Sequence, residues 1–190
     1  MTTIHFIRHG AVDNPDNIDY GRLPGYPLSD EGIECIRYTA ERLKQYPIEA
    51  IYHSPMLRTE QSAEILTELL QVPRHVDERI IELASFFEGH PRGKRRTRVE
   101  HFPPIKSGYA ETMAEVFERM SEFVKDMAHR HPNGQIVAVS HGAPIRLLEM
   151  GIRFLPFNDF TYDEVEVPAC GSDTIVTVDG SQLAVQRLFI

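Results

Sequence analysis

Cysteine is scarce. Cys35 and Cys170 are the only two in 190 residues, too few and too far apart for the disulfide framework of a small secreted domain. The plain expectation is two reduced thiols in a cytoplasmic protein. Long apolar runs are missing too. Nothing approaches the ~20 consecutive apolar residues of a membrane helix, so no membrane span is expected. The segment from Met1 to His5 runs straight into an apolar stretch, with no charged region and long apolar core before it, so no secretory signal is expected. Positive charge is in the minority: 20 Lys plus Arg against 28 Asp plus Glu give a formal net charge of −8 at pH 7. That balance argues against general nucleic-acid affinity and leaves room only for a local basic patch. There is no internal repeat and no low-complexity tract. There is also no Gly-x-Ser-x-Gly elbow, which counts against a serine hydrolase, and no glycine-rich loop ending in lysine, which counts against a P-loop nucleotide site.

What remains has ordinary globular proportions, and 190 residues suit one domain spanning 1–190. Ile4 to Ile7 is short and apolar enough for a buried strand. It ends in Arg8-His9-Gly10. In open α/β sheets ligands bind beyond the carboxyl ends of the strands. There an arginine fork clamps an anion, and a histidine serves as base, metal ligand or nucleophile. The same sequence of features returns later. Ile136 to Val139 is unbroken and apolar, as in a central parallel strand, and it ends in Ser140-His141-Gly142. A helix is expected from Ala143 to Met150, so Gly142 and Ala143 offer backbone donors to an anion.

Between these two strand ends, residues 11 to 27 read as a long loop punctuated by Asn, Pro and Gly. Asn14, Asn17 and Arg22 on it are candidate substrate contacts. Ser29 caps a helix with Asp30 and Glu31 in its first turn. Ala50 to His53 predicts a strand, and Met56 to Leu70 a second helix. Arg58 falls in the first turn of that helix, where a cation is electrostatically misplaced unless an anion is bound there. The competing reading pairs it with Glu60 or Glu64. Glu82, near Phe86 and Phe87, reads equally as a general acid with a raised pKa or as a surface carboxylate. Residues 90–108 carry Arg92, Lys94, Arg95, Arg96 and Arg98 and read as a basic loop or lid insertion. Tyr109 to His131 predicts a long helix with Met113, Val116, Met120, Phe123, Val124 and Met127 as its core stripe. Residues 152 to 161 read as a loop, and Val165 to Val167 as β-rich. The last strands are joined by Asp179-Gly180, a hairpin signal.

Two imidazoles with two guanidiniums and no carboxylate cluster suit a dianion better than a metal ion. A zinc site needs three or four ligands, some closely spaced. His5 and His9 share a strand parity, but no carboxylate or cysteine motif accompanies them. No metal and no cofactor are expected.

The ordered set Arg8-His9-Gly10, Ser54-Pro55-Met56-Leu57-Arg58-Thr59 running on to Gln61 and Ala63, Glu82 with Phe87-Glu88-Gly89, Glu111-Thr112 with Arg119, and Ser140-His141-Gly142 resembles the histidine phosphatase superfamily, the phosphoglycerate mutase-like family. The resemblance spans nearly the whole chain. It implies a three-layer α/β/α sandwich with a mostly parallel sheet and an antiparallel edge. It implies His9 as nucleophile forming a phosphohistidine, Arg8, Arg58 and His141 holding the phosphoryl group, and Glu82 as proton donor. Ala11 stands where many relatives carry glutamate, and Phe86-Phe87-Glu88-Gly89 departs from the usual aromatic segment. The short chain favours a metal-independent phosphomonoesterase acting on a small phosphorylated metabolite. Alternatives are a cofactor-dependent phosphoglycerate mutase or a non-catalytic phosphate-dependent binding protein. Substrate identity and oligomeric state, a homodimer included, stay open.

Overall fold

The computed structural model describes residues 1–92 and 108–188. Strands β1 (Thr2–Arg8), β2 (Ile48–His53), β3 (Arg74–Val76), β4 (Gln135–Ser140), β5 (Asp173–Asp179) and β6 (Gln182–Leu188) form one sheet in the order β3-β2-β4-β1-β5-β6. β1 to β4 pair in parallel, while β5 runs antiparallel to β1 and β6 antiparallel to β5. The expected parallel sheet with an antiparallel edge is therefore present. Among the described residues no helix is long and apolar enough to cross a membrane.

Alternation along the strands sorts side chains onto two faces. Ile4, Phe6, Ala50, Tyr52, Ile136 and Ala138 point to one face. There they pack with Val116, Met120, Phe123 and Met127 of α3 (Met113–Arg130) and Ile145 and Leu148 of α4 (Gly142–Ile152). Ile7, Ile51, Val137 and Val139 point to the other. They meet Ile36, Ala40 and Leu43 of α1 (Asp30–Leu43) and Ala63 and Leu66 of α2 (Leu57–Leu70). Burying each of the larger apolar side chains contributes about 1.5–3 kcal/mol, so both layers are held by apolar burial and the sheet is covered on both sides.

Three boundaries differ from the sequence reading. The long helix begins at Met113, not Tyr109, because Thr112 and Glu115 close a reciprocal capping box there. Residues 152 to 161 are not all loop: Asn158 accepts from Thr161 N–H and starts a short α5 (Asp159–Glu164). Val165 to Val167 form no strand. Pro168 follows them without an N–H to donate, and its carbonyl is taken by Arg8. Of the basic insertion expected at 90–108, Lys94, Arg95, Arg96 and Arg98 lie outside the described residues. Arg92 is described, with Pro91 bridged to Ile18.

Candidate active site

Parallel register brings the two histidines together. Arg8 pairs with Ser140 at the ends of β1 and β4, so His9 and His141 leave the same sheet edge side by side. Their ring centroids are 5.2 Å apart. One strand over, His53 of β2 pairs with Val139, and Ser54 leaves the sheet next to them. The chain then turns into α2 and carries Arg58 across this edge. Gly10 is needed for close approach: a Cβ there would lie 2.4 Å from the Gly32 carbonyl oxygen. The start of α1 thus packs directly on the segment that follows His9.

His9 is 1% exposed, Arg58 1% and His141 0%. Partners assign both tautomers. His9 Nδ1 lies 2.7 Å from the Gly10 carbonyl, which only accepts, so Nδ1 carries the proton. Nε2 is unprotonated and accepts from Arg58 Nε at 3.3 Å. His141 is the reverse. Its Nδ1 accepts from Arg58 Nη2 at 3.1 Å, and its Nε2 donates to Ser54 Oγ at 2.7 Å. Burial first, then the Arg58 charge, hold both imidazoles well below the usual histidine range, in agreement with two neutral rings. Arg58 also donates to the Gly21 carbonyl at 2.8 Å and lies 4.8 Å from the Tyr20 ring centroid. It pairs with neither Glu60 nor Glu64; the buried site holds it instead.

Arg8 donates from Nη1 to the Pro168 carbonyl at 2.6 Å. Its Nε is buried with no hydrogen-bond partner among the described residues, a donor that an incoming anion would satisfy. Glu82 Oε2 stands 3.7 Å from His141 Nδ1, and its side chain is 16% exposed. Burial pushes its carboxyl upward, with Arg58 opposing. The cause is desolvation at the cavity wall; Phe86, expected beside it, is an exposed residue.

Arg8, His9, Glu82, Gly142 and Ala143 line a cavity of about 340 Å³, while Arg58 and His141 are buried behind its wall, against His9 and Glu82. Gly142 and Ala143 begin α4, whose N-cap His141 makes no side-chain cap bond, so an anion-seeking helix end faces the cavity. Among the described residues, no group of three His, Cys, Asp or Glu side chains is placed to hold a metal ion.

Three candidates fall elsewhere. Asn14 folds its amide onto Ile18, donating to its carbonyl and accepting from its N–H. Asn17 adopts φ 47° to turn the loop and accepts from Arg92 N–H through its carbonyl. Arg22 donates to Glu111 Oε2 at 2.6 Å and to the Glu82 carbonyl at 2.7 Å. None of the three lines the cavity. Arg119 joins Arg22, donating to Glu111 Oε1 at 2.8 Å and to the carbonyls of Arg79 and Glu82. Glu111 also accepts from Ala84 N–H. Two arginines and one carboxylate therefore clamp the backbone on both sides of Glu82. Asp19, Ser85, Glu88, Arg92 and Tyr162 also reach the cavity. Tyr162 is missed by the sequence reading, which assigns residues 152 to 161 to a loop and gives residue 162 no role; the Asn158 cap of α5 is the available signal.

A doubly covered, mostly parallel sheet thus gathers at one edge two neutral strand-end imidazoles, two guanidiniums and a carboxyl pushed upward by burial, a set with donors suited to an anion. The sequence profile of the histidine phosphatase superfamily (branch 1) matches residues 4–190, and the chain belongs to that superfamily. The uncharacterized protein Rv0525 of Mycobacterium tuberculosis is 32% identical over 156 residues, covering 78% of this chain and 77% of its own length. Phosphoserine phosphatase 1 of Hydrogenobacter thermophilus is 28% identical over 162 residues, covering 78% of this chain and 74% of its own. Among solved structures, Bacillus stearothermophilus YhfR superposes with a TM-score of 0.86 at 23% identity, covering 98% of this chain and 96% of its own. That last likeness speaks for the fold alone. The superfamily and its phosphatase-named members support a phosphatase or mutase enzyme.

Proposed function

We propose that the protein is a metal-independent phosphomonoesterase that hydrolyses a small phosphorylated metabolite through a phosphohistidine at His9. One observation supports the reading: His9 lines the cavity with its Nδ1 proton on the Gly10 carbonyl, so Nε2 is unprotonated and accepts from Arg58 Nε, a donor that can turn to a phosphoryl oxygen when substrate enters. A neutral imidazole so held is a nucleophile that needs no base to free it. Nε2 forms the bond to phosphorus as the ester oxygen leaves. Arg8, Arg58 and the start of α4 meet the charge on the phosphoryl oxygens. Glu82, whose carboxyl burial pushes upward, gives its proton to the leaving oxygen. It then takes one from the water that attacks phosphohistidine, returning His9 and free phosphate. A cavity of about 340 Å³ suits a small leaving group, at the low end of ligand sites.

Purified protein should release phosphate from an aryl phosphate and from at least one phosphorylated metabolite at equal rates with and without chelator. Turnover abolished by chelator removes the metal-independent reading. Isomerisation of 3-phosphoglycerate outpacing phosphate release moves the reaction to the mutase class.

In this mechanism Glu111 is a positioning residue for Glu82, acting through Arg22 and Arg119. Glu111→Gln keeps its shape but loosens both ion pairs. It is expected to lower kcat for an alkyl phosphate roughly 10–100-fold, as small misplacements do, with KM little changed. An aryl phosphate with an acidic leaving group, which needs less protonation, should be spared. Equal losses on both substrates would mark a general structural defect instead.

A further inference from the structure

Cys35 and Cys170 lie outside the phosphoryl site, yet they border the segment that holds Arg8. Cys35, on α1, donates from Sγ to the Cys170 carbonyl at 3.1 Å. Both thiols are partly exposed, and both line one cavity of about 160 Å³ with Pro168, Ser172 and Arg187. Packing between α1 and this segment is close. Gly171 has φ +72°, and a Cβ there would lie 2.5 Å from Cys35 Sγ, so only glycine admits the sulfur. Thr39 Oγ1 donates to the Gly171 carbonyl at 2.7 Å and fastens the two elements one turn further along α1.

The segment carrying Cys170 grips Arg8 from both sides of that cysteine. Arg8 Nη1 donates to the Pro168 carbonyl at 2.6 Å. Gly171 N–H donates to the Arg8 carbonyl at 2.8 Å, and Arg8 N–H donates to the Ser172 carbonyl at 3.3 Å. Val167, one residue before Pro168, lines both the thiol cavity and the active-site cavity. A change at Cys170 is therefore felt by the arginine that faces the substrate.

We infer that Cys35 and Cys170 are a peroxide-sensitive thiol pair whose oxidation to an intramolecular disulfide releases the Arg8 guanidinium from the anchor that holds it at the phosphate site. The Cys170 sulfur attacks one oxygen of hydrogen peroxide and the O–O bond breaks. Hydroxide leaves, takes up the thiol proton as water, and a sulfenic acid remains. The Cys35 sulfur then attacks the Cys170 sulfur, the S–O bond breaks, and the second water departs with the Cys35 proton. Both sulfurs are oxidised by one electron each and the peroxide is reduced to water. Burial, and after it the charge of Cys170, pushes the Cys35 thiol up, which leaves less Cys35 thiolate to make the first attack. Bonding the two sulfurs ends the Cys35 bond to the Cys170 carbonyl and turns the 168–172 segment toward α1. The Pro168 carbonyl then leaves the Arg8 guanidinium. Thiol–disulfide exchange reverses the change.

The effect on turnover rests on the phosphatase reading, whereas the crosslink and anion binding do not. Reduced protein is treated with hydrogen peroxide, alkylated and peptide-mapped, and its affinity for orthovanadate and its kcat/KM toward an aryl phosphate are measured. A Cys35–Cys170 crosslink is expected, with affinity and kcat/KM both falling about 100-fold and dithiothreitol restoring them. Cys35→Ser and Cys170→Ser should match the reduced wild type and resist this reversible loss. The inference is overturned if no such crosslink forms, if crosslinked protein keeps its orthovanadate affinity, or if either serine variant loses affinity like the wild type. Reduced wild type that binds orthovanadate but turns nothing over would overturn the phosphatase reading, while the crosslink and affinity still judge the thiol pair.

Discussion

His9→Ala is expected to lower kcat/KM by at least about 10⁴-fold, the scale of losing an enzyme nucleophile, while the protein stays folded. The side chain is a buried part of the cavity wall, hydrogen-bonded among the described residues only to the Gly10 carbonyl and Arg58, and it belongs to neither apolar layer. Its loss removes the phosphorus acceptor and frees Arg58 Nε to meet an anion directly. The variant should therefore bind phosphate or orthovanadate about as well as the wild type. Rapid quench with ³²P-labelled substrate distinguishes this from general damage. Wild type should carry acid-labile, base-stable label and His9→Ala none. Label that persists in the variant, or full steady-state activity, would overturn the nucleophile and with it the mechanism.

The proposed catalytic set is legible in sequence only in part, since local signals point to the strand-end histidines and Arg58 while Glu82 reads equally as a surface carboxylate. His9 and His141 end apolar runs that only buried strands explain, and Arg58 sits where a helix start disfavours a cation without an anion. What brings them together is not local. The pairing of Arg8 with Ser140 depends on β4 inserting between β1 and β2, and no stretch of the chain announces that order. Arg22 shows the same limit from the other side. An arginine on a Gly- and Pro-rich loop looks available for phosphate, yet Glu111, 89 residues away, claims it. Asn14 and Asn17 likewise have the composition of a binding loop, but their polar groups and dihedrals serve the loop's own turn. Loop polarity is spent either on ligands or on the loop, and only tertiary partners decide which.

Fold signals failed where propensity met a competing local bond. Val165 and Val167 have β-branched side chains, but among the described residues no neighbouring strand pairs with them, and Pro168 anchors Arg8 instead. Tyr109 and Glu111 suit a helix, yet Glu111 is used on Arg22, Arg119 and Ala84 N–H. Thr112, two residues on from Ala110, provides the better cap. In both places the chain gives up regular structure to hold a residue of the cleft: Arg8 in the first, Glu82 in the second.

Glu82→Gln is expected to separate the two halves of the reaction by leaving group. Glutamine retains the size of the side chain and an acceptor for Leu83 N–H, which Glu82 Oε1 holds at 2.8 Å, so the wall of the cleft should persist. It has no acidic proton to give. For an alkyl phosphate, whose leaving oxygen departs as a strong base, phosphorylation of His9 should slow about 10²–10⁴-fold, the usual worth of a general acid. For an aryl phosphate with an acidic phenol the same step should change little. Hydrolysis of phosphohistidine would then lack its base, and labelled enzyme should accumulate. The pH profile carries a second signature. In wild type, His9 must be neutral and Glu82 protonated before phosphorylation. The imidazole's lowered pKa places the acid limb well below pH 6.5. The carboxyl's raised pKa places the alkaline limb above the ordinary 4.5, and the rate falls as pH rises through it. Glu82→Gln should lose that alkaline limb while keeping the acid one. A variant that slows alkyl and aryl substrates equally, or that retains the wild-type alkaline limb, would take the proton from Glu82 and assign it to another group in the cleft.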